Sequence, residues 1–360
     1  MSKAYIFKCP QCGAHKVYSP KKQALECKHC SSLTQIAADR EVFKKPYMAG
    51  LALEVDPGTE IQGCLSCGAR LNMLAGEISG VCPFCGAGNI VSVEGSEGLK
   101  PDECVPFAIE NEDAERNFKK WLLKKWFVPN ELKKKARIEK IRGVYSPVFA
   151  FDAFSSSTYT GVLGKHYTTY VGSGKNRRAV VRTRYFPISG SLSLQHNDIM
   201  TECSPHFDQK VLNRLRPFDL RSRAKYDKGF LSGFWADSAD KDLDQGWQDC
   251  KAIADDETKR QILSRYSYDV VKSLNINTTY EDIKYSYMLL PLYVSSYSFK
   301  DKVFSFFVNG CTGKIFGKVP RSPVKILLAV LGALALMLAA FLLGQHFDLI
   351  GTNPYTYPFG

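Results

Sequence analysis

The chain has little histidine. Its six histidines (His15, His29, His166, His196, His206 and His346) are scattered through 360 residues with no HExxH pair, so the helix-borne zinc-protease pattern is missing. A phosphate-binding loop is missing too. Gly172-Ser173-Gly174-Lys175-Asn176 and Gly310-Cys311-Thr312-Gly313-Lys314-Ile315 come near G-x-x-x-x-G-K-[ST]. In each, however, the first glycine is replaced (Thr169, Val308) and the final hydroxyl is replaced (Asn176, Ile315). No Ser-His-Asp arrangement and no carboxylate pair stands out, so the expectation is a protein that is not an enzyme. The start of the chain, with Lys3, carries no apolar leader, and no signal peptide is expected. Disorder is excluded by composition: 45% hydrophobic and 12% aromatic residues supply ample core for two or three domains.

What the chain does have is a duplicated cysteine pattern. Of 12 cysteines, Cys9, Cys12, Cys27 and Cys30 read C-x2-C-x14-C-x2-C, and Cys64, Cys67, Cys82 and Cys85 repeat it at an offset of 55 residues. Each C-x2-C sets two thiolates on one side of a tight knuckle, and the intervening loop carries the second knuckle across to complete a tetrahedron. That is the ligand set of a structural zinc ion. Gly13, Gly68 and Gly86 follow three of the four knuckles, where a missing Cβ permits positive φ and turns backbone N–H groups toward sulfur. The pattern predicts two tandem zinc ribbons, residues 1–40 and 56–98, holding two Zn2+ per chain. Cys104, Cys203, Cys250 and Cys311 share no spacing and read as buried thiols of a reducing compartment.

Charge is absent from one long run. Ile326 to Gly344 is 19 residues without a charged side chain, about the 30 Å of a bilayer's hydrocarbon core when helical. Lys314, Lys318, Arg321 and Lys325 precede it and no Lys or Arg follows. By the positive-inside rule a transmembrane helix at 326–344 leaves the preceding residues in the cytoplasm and sends the tail, 345–360, across the membrane. The expected location is the bacterial cytoplasmic (inner) membrane, in a single pass.

The net charge of +12 is unevenly spread. Residues 1–40 carry seven basic residues against Glu26 and Asp39, whereas residues 56–98 carry Arg70 against five acids. Two ribbons tracking a phosphate backbone would both be basic, so nucleic acid is the less favoured partner. The densest basic run, Arg116 to Arg142, has eleven Lys or Arg against Glu131 and Glu139. From Ala114 onward, Phe118, Trp121, Leu122 and Trp126 recur at helical spacing; Asn111 is placed to cap the helix and Pro129 to start a second one. Three readings of the lysines stay open: a solvated face, a surface toward anionic lipid, or a nucleic-acid patch.

Residues 100–320 read as one mixed α+β domain. Val144 to Val171 predicts two or three strands broken at Gly161 and Gly164, and Arg178 to Phe186 a strand with one wet face. Leu212 to Leu274 turns helical, with Leu243, Trp247, Cys250 and Ala254 along one stripe. Ser286 to Lys318 returns to strands, with turns at Lys300-Asp301-Lys302 and Asn309-Gly310. Val144-Tyr145-Ser146-Pro147-Val148-Phe149 and Leu289-Leu290-Pro291-Leu292-Tyr293 echo each other in shape.

The order of parts is similar to that of a known family. Two ribbons precede Val105-Pro106-Phe107, the Phe118-Trp121-Leu122-Trp126-Phe127-Pro129 helix, Gly143-Val144-Tyr145 and Pro147, Gly233-Phe234, the Leu290-Pro291-Leu292-Tyr293 strand, and Asn309-Gly310 with Thr312-Gly313 and Gly317. A terminal membrane helix ends the series. This resembles the bacterial TFIIB-type zinc-ribbon membrane proteins, often labelled as relatives of the primosomal replication-restart helicase; the helicase's nucleotide loop is missing here. The resemblance implies a partner of flotillin-like or phage-shock type, and a membrane-anchored adaptor or scaffold in membrane organisation or envelope stress. The alternative is a membrane-tethered nucleic-acid-binding zinc-ribbon protein.

Overall fold

The computed structural model describes residues 7–37, 39–41, 43–56, 59–74, 81–93, 99–135, 141–173, 177–299 and 302–351. Lys3, residues 136–140 of the basic run, Gly174-Lys175-Asn176, the turn residues Lys300-Asp301 and the tail from residue 352 lie outside them. In chain order the strands are β1 (Lys16–Ser19), β2 (Ala24–Cys27), β3 (Leu33–Thr34), β4 (Lys45–Pro46), β5 (Thr59–Cys64), β6 (Arg70–Leu74), β7 (Ile90–Ser92), β8 (Glu103–Cys104), β9 (Arg142–Val171), β10 (Arg178–Glu202), β11 (Ala224–Lys225), β12 (Trp235–Asp237), β13 (Val270–Phe299), β14 (Lys302–Asn309) and β15 (Ile315–Gly317). The helices are α1 (Asn111–Lys124), α2 (Asn130–Lys135), α3 (Gln209–Leu215), α4 (Leu243–Ser264) and α5 (Pro323–Gly351). The fold is mixed α+β.

Strand β9 organises the body. It pairs antiparallel with β10 along one edge and with β13 along the other, from Gly164↔Val270 at one end to Tyr145↔Pro291 at the other. Its sequence explains how far each part is covered. Residues 143–151 are apolar or small and buried on both sides, as in a strand inside a layered body. Residues 153–160 alternate buried and exposed, the period of a strand with one wet face. Beyond Lys165 almost everything is exposed, and β9 and β10 continue as a two-stranded hairpin. Ser155, Ser157 and Thr278 lie among these strands: Ser157 meets Thr278 at 2.9 Å and Ser155 meets His196 Nε2 at 2.9 Å, so the polar middle is cross-linked by hydroxyls.

Gly161 and Gly164 do not break this strand, contrary to the expectation of two or three shorter ones. A Cβ at Gly161 would meet the Ser273 carbonyl oxygen at 2.6 Å, and one at Gly164 would meet the Thr183 methyl at 2.7 Å. These glycines permit close approach of neighbouring strands, which is the other use of glycine in a sheet. The helical expectation for Leu212 to Leu274 holds at the end of α3 and through α4, which carries the predicted stripe, and fails between and after them. Leu243, Trp247, Cys250 and Ala254 are buried in α4, against Phe149, Phe151 and Tyr287. Pro217 ends α3, and Asp219 and Asp227 then accept the N–H groups of Arg221 and Gly229, which makes short turns of the stretch before α4. After Asp269 the chain is already in β13.

Two other expectations are revised. Glu110, not Asn111, caps α1, exchanging bonds with Asp113 in a capping box. Trp126 lies beyond the end of α1 and is exposed, while Ala114, Phe118 and Leu122 carry the buried face. The two echoing segments pair directly, Tyr145 with Pro291 and Pro147 with Leu289. Hairpin β13–β14 and the turn after Asn309 stand where expected. At that turn the Asn309 side-chain oxygen accepts the N–H groups of both Cys311 and Thr312, which takes up the donors a phosphate would need.

Helix α5 spans 29 residues, starting at Pro323 just after Ser322. Its Pro323–Leu343 stretch has a mean hydropathy of 2.9 and none of its most apolar window is buried, so the helix is long and apolar enough to cross a membrane.

Gly246 tests how tightly α4 sits on the sheet. A Cβ there would lie 2.5 Å from the ring of the fully buried Phe149. Ala is the better helix former by about 1 kcal/mol, but overpacking a closed core costs about 1–3 kcal/mol. Gly246→Ala is therefore expected to lower thermal stability; a raised melting temperature would show that α4 can lift off β9.

Candidate metal centres

Each predicted set of four cysteines is gathered into one group: Cys9, Cys12, Cys27 and Cys30 in the first, Cys64, Cys67, Cys82 and Cys85 in the second, with the ligand atoms of each group within 4.8 Å of one another. The local cause is the same at all four knuckles. The N–H of the residue after the second cysteine closes back on the carbonyl of the first: Gly13 on Cys9 at 2.8 Å, Ser31 on Cys27 at 2.9 Å, Gly68 on Cys64 at 2.8 Å and Gly86 on Cys82 at 3.0 Å. The first cysteine's own N–H reaches five residues on, to Ala14, Ser32, Ala69 and Ala87. That ring needs a left-handed residue at its corner, and φ is 72°, 58°, 77° and 77° in the four cases. Ser31 takes this conformation without being glycine. The sequence signal that three knuckles carry glycine therefore extends to the fourth.

The donor geometry suits a tetrahedral ion. Cys9–Cys30 and Cys12–Cys27 sulfurs are 3.5 Å apart, Cys64–Cys85 3.6 Å and Cys67–Cys82 3.7 Å. Zn–S bonds of about 2.3 Å at tetrahedral angles place sulfurs about 3.8 Å apart. A disulfide would need about 2.05 Å, and all eight cysteines are free thiols. In each group the first cysteine of each knuckle is buried and the second exposed. His29, inside a knuckle, is exposed and belongs to neither group.

Proton affinities divide within each cluster. The Ser32 hydroxyl, 3.1 Å from Cys9 Sγ, draws that thiol down to about 5. Cys12 has the Ala14 N–H in its favour, yet desolvation and the thiols of Cys27, Cys30 and Cys9 drive it up to about 12. In the second cluster desolvation opposes ionisation of Cys64, but the Cys67 and Ser66 N–H groups bring it to about 7; burial drives Cys82 up to about 11. Some thiols in each set ionise readily and others refuse a further negative charge. A divalent cation supplies the missing counter-charge, releasing protons as it binds.

Both clusters are tied to the body. In the first, Tyr18 N–H donates to the Ser232 carbonyl at 2.9 Å, and Ser232 Oγ to the Lys16 carbonyl at 2.7 Å. The Tyr18 ring packs edge-on against Phe230 and Phe234. Ser19 and the Lys21 N–H both bond Glu110, the cap of α1, at 3.1 Å. In the second, β6 pairs with β12, so its sheet is continuous with that of β9. Phe84, inside a knuckle, stacks on His206 at 4.6 Å, and Arg142 donates to the Cys82 carbonyl at 2.8 Å. Sequence reading missed these anchors, because each partner is about ninety residues or more away or, like Arg142, sits within a run read only for its charge.

It also missed a buried acidic pair. Burial pushes Glu202 up to about 8 and Asp237 up to about 7. Ser146 Oγ donates to Glu202 at 2.8 Å, the Ser204 hydroxyl donates to Asp237, and the Ser204 N–H to Glu202 at 3.2 Å. Both carboxyls are sealed inside the sheet, where they pin the chain after β10 to β12.

No protein-family model matches the chain. It is similar to the uncharacterized protein YdjG of Bacillus subtilis (strain 168), 26% identical over 349 residues, which is 95% of this chain and 99% of that protein. No solved structure matches.

Two measurements follow. Metal analysis of the purified chain is expected to return about two zinc ions per chain, and about one after Cys67→Ser; cobalt substitution should show a tetrahedral thiolate spectrum. One equivalent in the parent chain, or iron in place of zinc, counts against the assignment. For Glu202, the raised folded value means that ionisation is disfavoured in the folded state, so stability falls as pH rises from the ordinary 4.5 through about 8. Glu202→Gln should flatten that fall in thermal unfolding between pH 5 and 8; an unchanged slope would assign it elsewhere.

Proposed function

We propose that this chain is a membrane-anchored zinc-ribbon adaptor, with α5 in the bilayer, the body on the cytoplasmic side, and the ribbons serving as metal-stabilised modules around which a protein partner docks. The observation that carries the reading is the pairing of two cysteine clusters bonded to one body with a C-terminal apolar helix whose most apolar stretch is not buried against any of the described residues. Structural zinc suits such a role, since four-cysteine sites are closed to substrate and contribute folding energy instead. The exposed knuckle cysteines Cys12, Cys30, Cys67 and Cys85, with Leu65 beside the second set, leave the outer edge of each ribbon open to a partner. The resemblance drawn from the sequence suggests a flotillin-like or phage-shock-type partner, and on this reading the protein carries out no catalysis.

One observation favours the second reading, a tethered nucleic-acid binder. Alternation along the outer β9–β10 hairpin puts Lys165, Tyr167, Arg178, Arg182 and Arg184 on one exposed face. Basic residues beside an aromatic ring are the composition of a single-strand track. The clusters argue the other way, because the second lies in an acidic stretch.

The two readings separate on the full chain in detergent. Purification from native membranes is expected to bring down a protein partner in fixed ratio. DNA or RNA binding is expected no tighter than about 10⁻⁴–10⁻⁶ M at physiological salt. Submicromolar nucleic-acid binding that disappears when Arg178, Arg182 and Arg184 are changed to Glu would replace the adaptor by the nucleic-acid binder.

A further inference from the structure

The root of α5 is built into the body. Ser322 N–H donates to the Phe127 carbonyl at 2.8 Å. The Lys325 ammonium donates to the Trp126 carbonyl at 3.1 Å, the Val128 carbonyl at 2.8 Å and Asn130 Oδ1 at 2.7 Å. An ammonium has three protons, and here three acceptors from the corner between α1 and α2 take them. A lysine in the first turn of a helix is disfavoured by the helix dipole, and this one is turned away to lock the corner instead.

That corner presents apolar side chains in the wrong place for a water-soluble surface. Leu122, Val128 and Leu132 are buried, whereas Leu123, Trp126 and Phe127 between them are 60%, 59% and 42% exposed. They are not displaced by looseness. Phe118, one turn earlier, stacks on Phe306 at 3.7 Å and lies 5.8 Å from Tyr297, which fixes α1 on β13 and β14. Trp126 and Phe127 meet edge-on at 5.1 Å, and Lys125 lies over Trp121 at 5.0 Å. Lys120 and Lys124 are exposed beside them. Just past this joint, Val324, Leu327 and Leu328 of α5 are each at least half exposed.

We propose that the α1–α2 corner is an interfacial seat: Leu123, Trp126 and Phe127 enter the headgroup boundary of the bilayer that α5 crosses, and the surrounding lysines bind its anionic lipids. This inference rests on the membrane-anchor reading above. Tryptophan at the membrane–water boundary with lysine toward the headgroups is the composition that physical partitioning favours. Ser322 and Lys325 tie the corner to the first turn of α5, so the patch lies at the root of the apolar helix, and its charge complements an anionic leaflet. The Lys325 lock makes helix and seat one rigid unit, so the seat sets the tilt of the body over the membrane.

The test reconstitutes the full chain into vesicles of phosphatidylcholine and phosphatidylglycerol with bromine high on the acyl chains. Tryptophan emission of the parent chain is expected to be quenched by the brominated lipid, and Trp126→Phe to lose most of that quenching. Replacing phosphatidylglycerol by phosphatidylcholine, or raising salt, should reduce it severalfold. Equal quenching in both proteins, or Trp126 emission open to aqueous acrylamide and untouched by bromine, overturns the seat and leaves the patch to a protein partner. Quenching indifferent to phosphatidylglycerol overturns the lipid role of the lysines. Failure of the chain to remain in vesicles through alkaline extraction is a different result: it overturns the membrane anchor itself.

Discussion

The pairing of β9 with β13 is the constraint on which the other parts depend. Both are 30 residues long, and they run antiparallel for most of that length. Their residues are far apart in sequence, Tyr145 against Pro291 at one end, so the pairing closes a long loop and must be rewarded by extensive contact. The reward changes along the strands. At the inner end it is aromatic packing, with Phe107, Tyr145 and Tyr293 ring against ring. In the middle it is hydroxyl pairs and the α4 stripe. At the outer end it is a smaller apolar cluster of Tyr159, Leu163, Ile188, Leu192 and Ile262, with Leu274 packed against it. β8 and β12 join this sheet at its packed end, and the second cluster enters through β12.

Cysteine clusters and body are consequently coupled. A small zinc module at the end of a flexible linker could lose its ion with little effect elsewhere. Here the strand β1 within the first cluster is bonded to Ser232 through both its Lys16 carbonyl and its Tyr18 N–H, and its Tyr18 ring packs against Phe230 and Phe234. Glu110, which caps α1, is the same carboxylate that receives Ser19 and the Lys21 N–H. The conformation of the first cluster is therefore linked to the position of α1, and through the corner after α1 to the root of α5. The path is a chain of direct contacts from thiolate knuckle to apolar helix.

The parts readable in the sequence were those written in local spacing. The cysteine groups depend on knuckles closed within five residues, so repetition of the pattern was enough, and Ser31 shows that geometry and not glycine identity is the requirement. The apolar run of α5 and the buried stripe of α4 were legible for the same reason. The long strands were not. Gly161 and Gly164 looked like breaks, because a sequence does not show whether glycine marks a turn or the close approach of another strand; here the Ser273 carbonyl and the Thr183 methyl decide it. Trp126 matched the spacing of the α1 face but lies past its C-cap at Lys125, where the chain leaves the helical path.

Strand direction separates the two exposed surfaces of the molecule. β13 begins at Val270, beside Gly164 near the outer hairpin, and runs toward Tyr297, whose hydroxyl donates to the Lys318 carbonyl at 2.9 Å just before α5. The root of the apolar helix is thus at one end of β13 and the basic hairpin with Tyr167, Arg178, Arg182 and Arg184 at the other. At about 3.3 Å per residue the path along the strand between them is about 90 Å. With α5 in a bilayer, the hairpin would be the part of this path most remote from the membrane-proximal root, and charges more than a Debye length from the headgroups are largely screened from them at physiological salt. Two basic surfaces that look alike in composition thus have different neighbours: the lysines of the α1–α2 corner flank the root of the apolar helix, and the arginines of the hairpin lie beyond the opposite end of β13. Position along one long strand, more than charge itself, divides their roles.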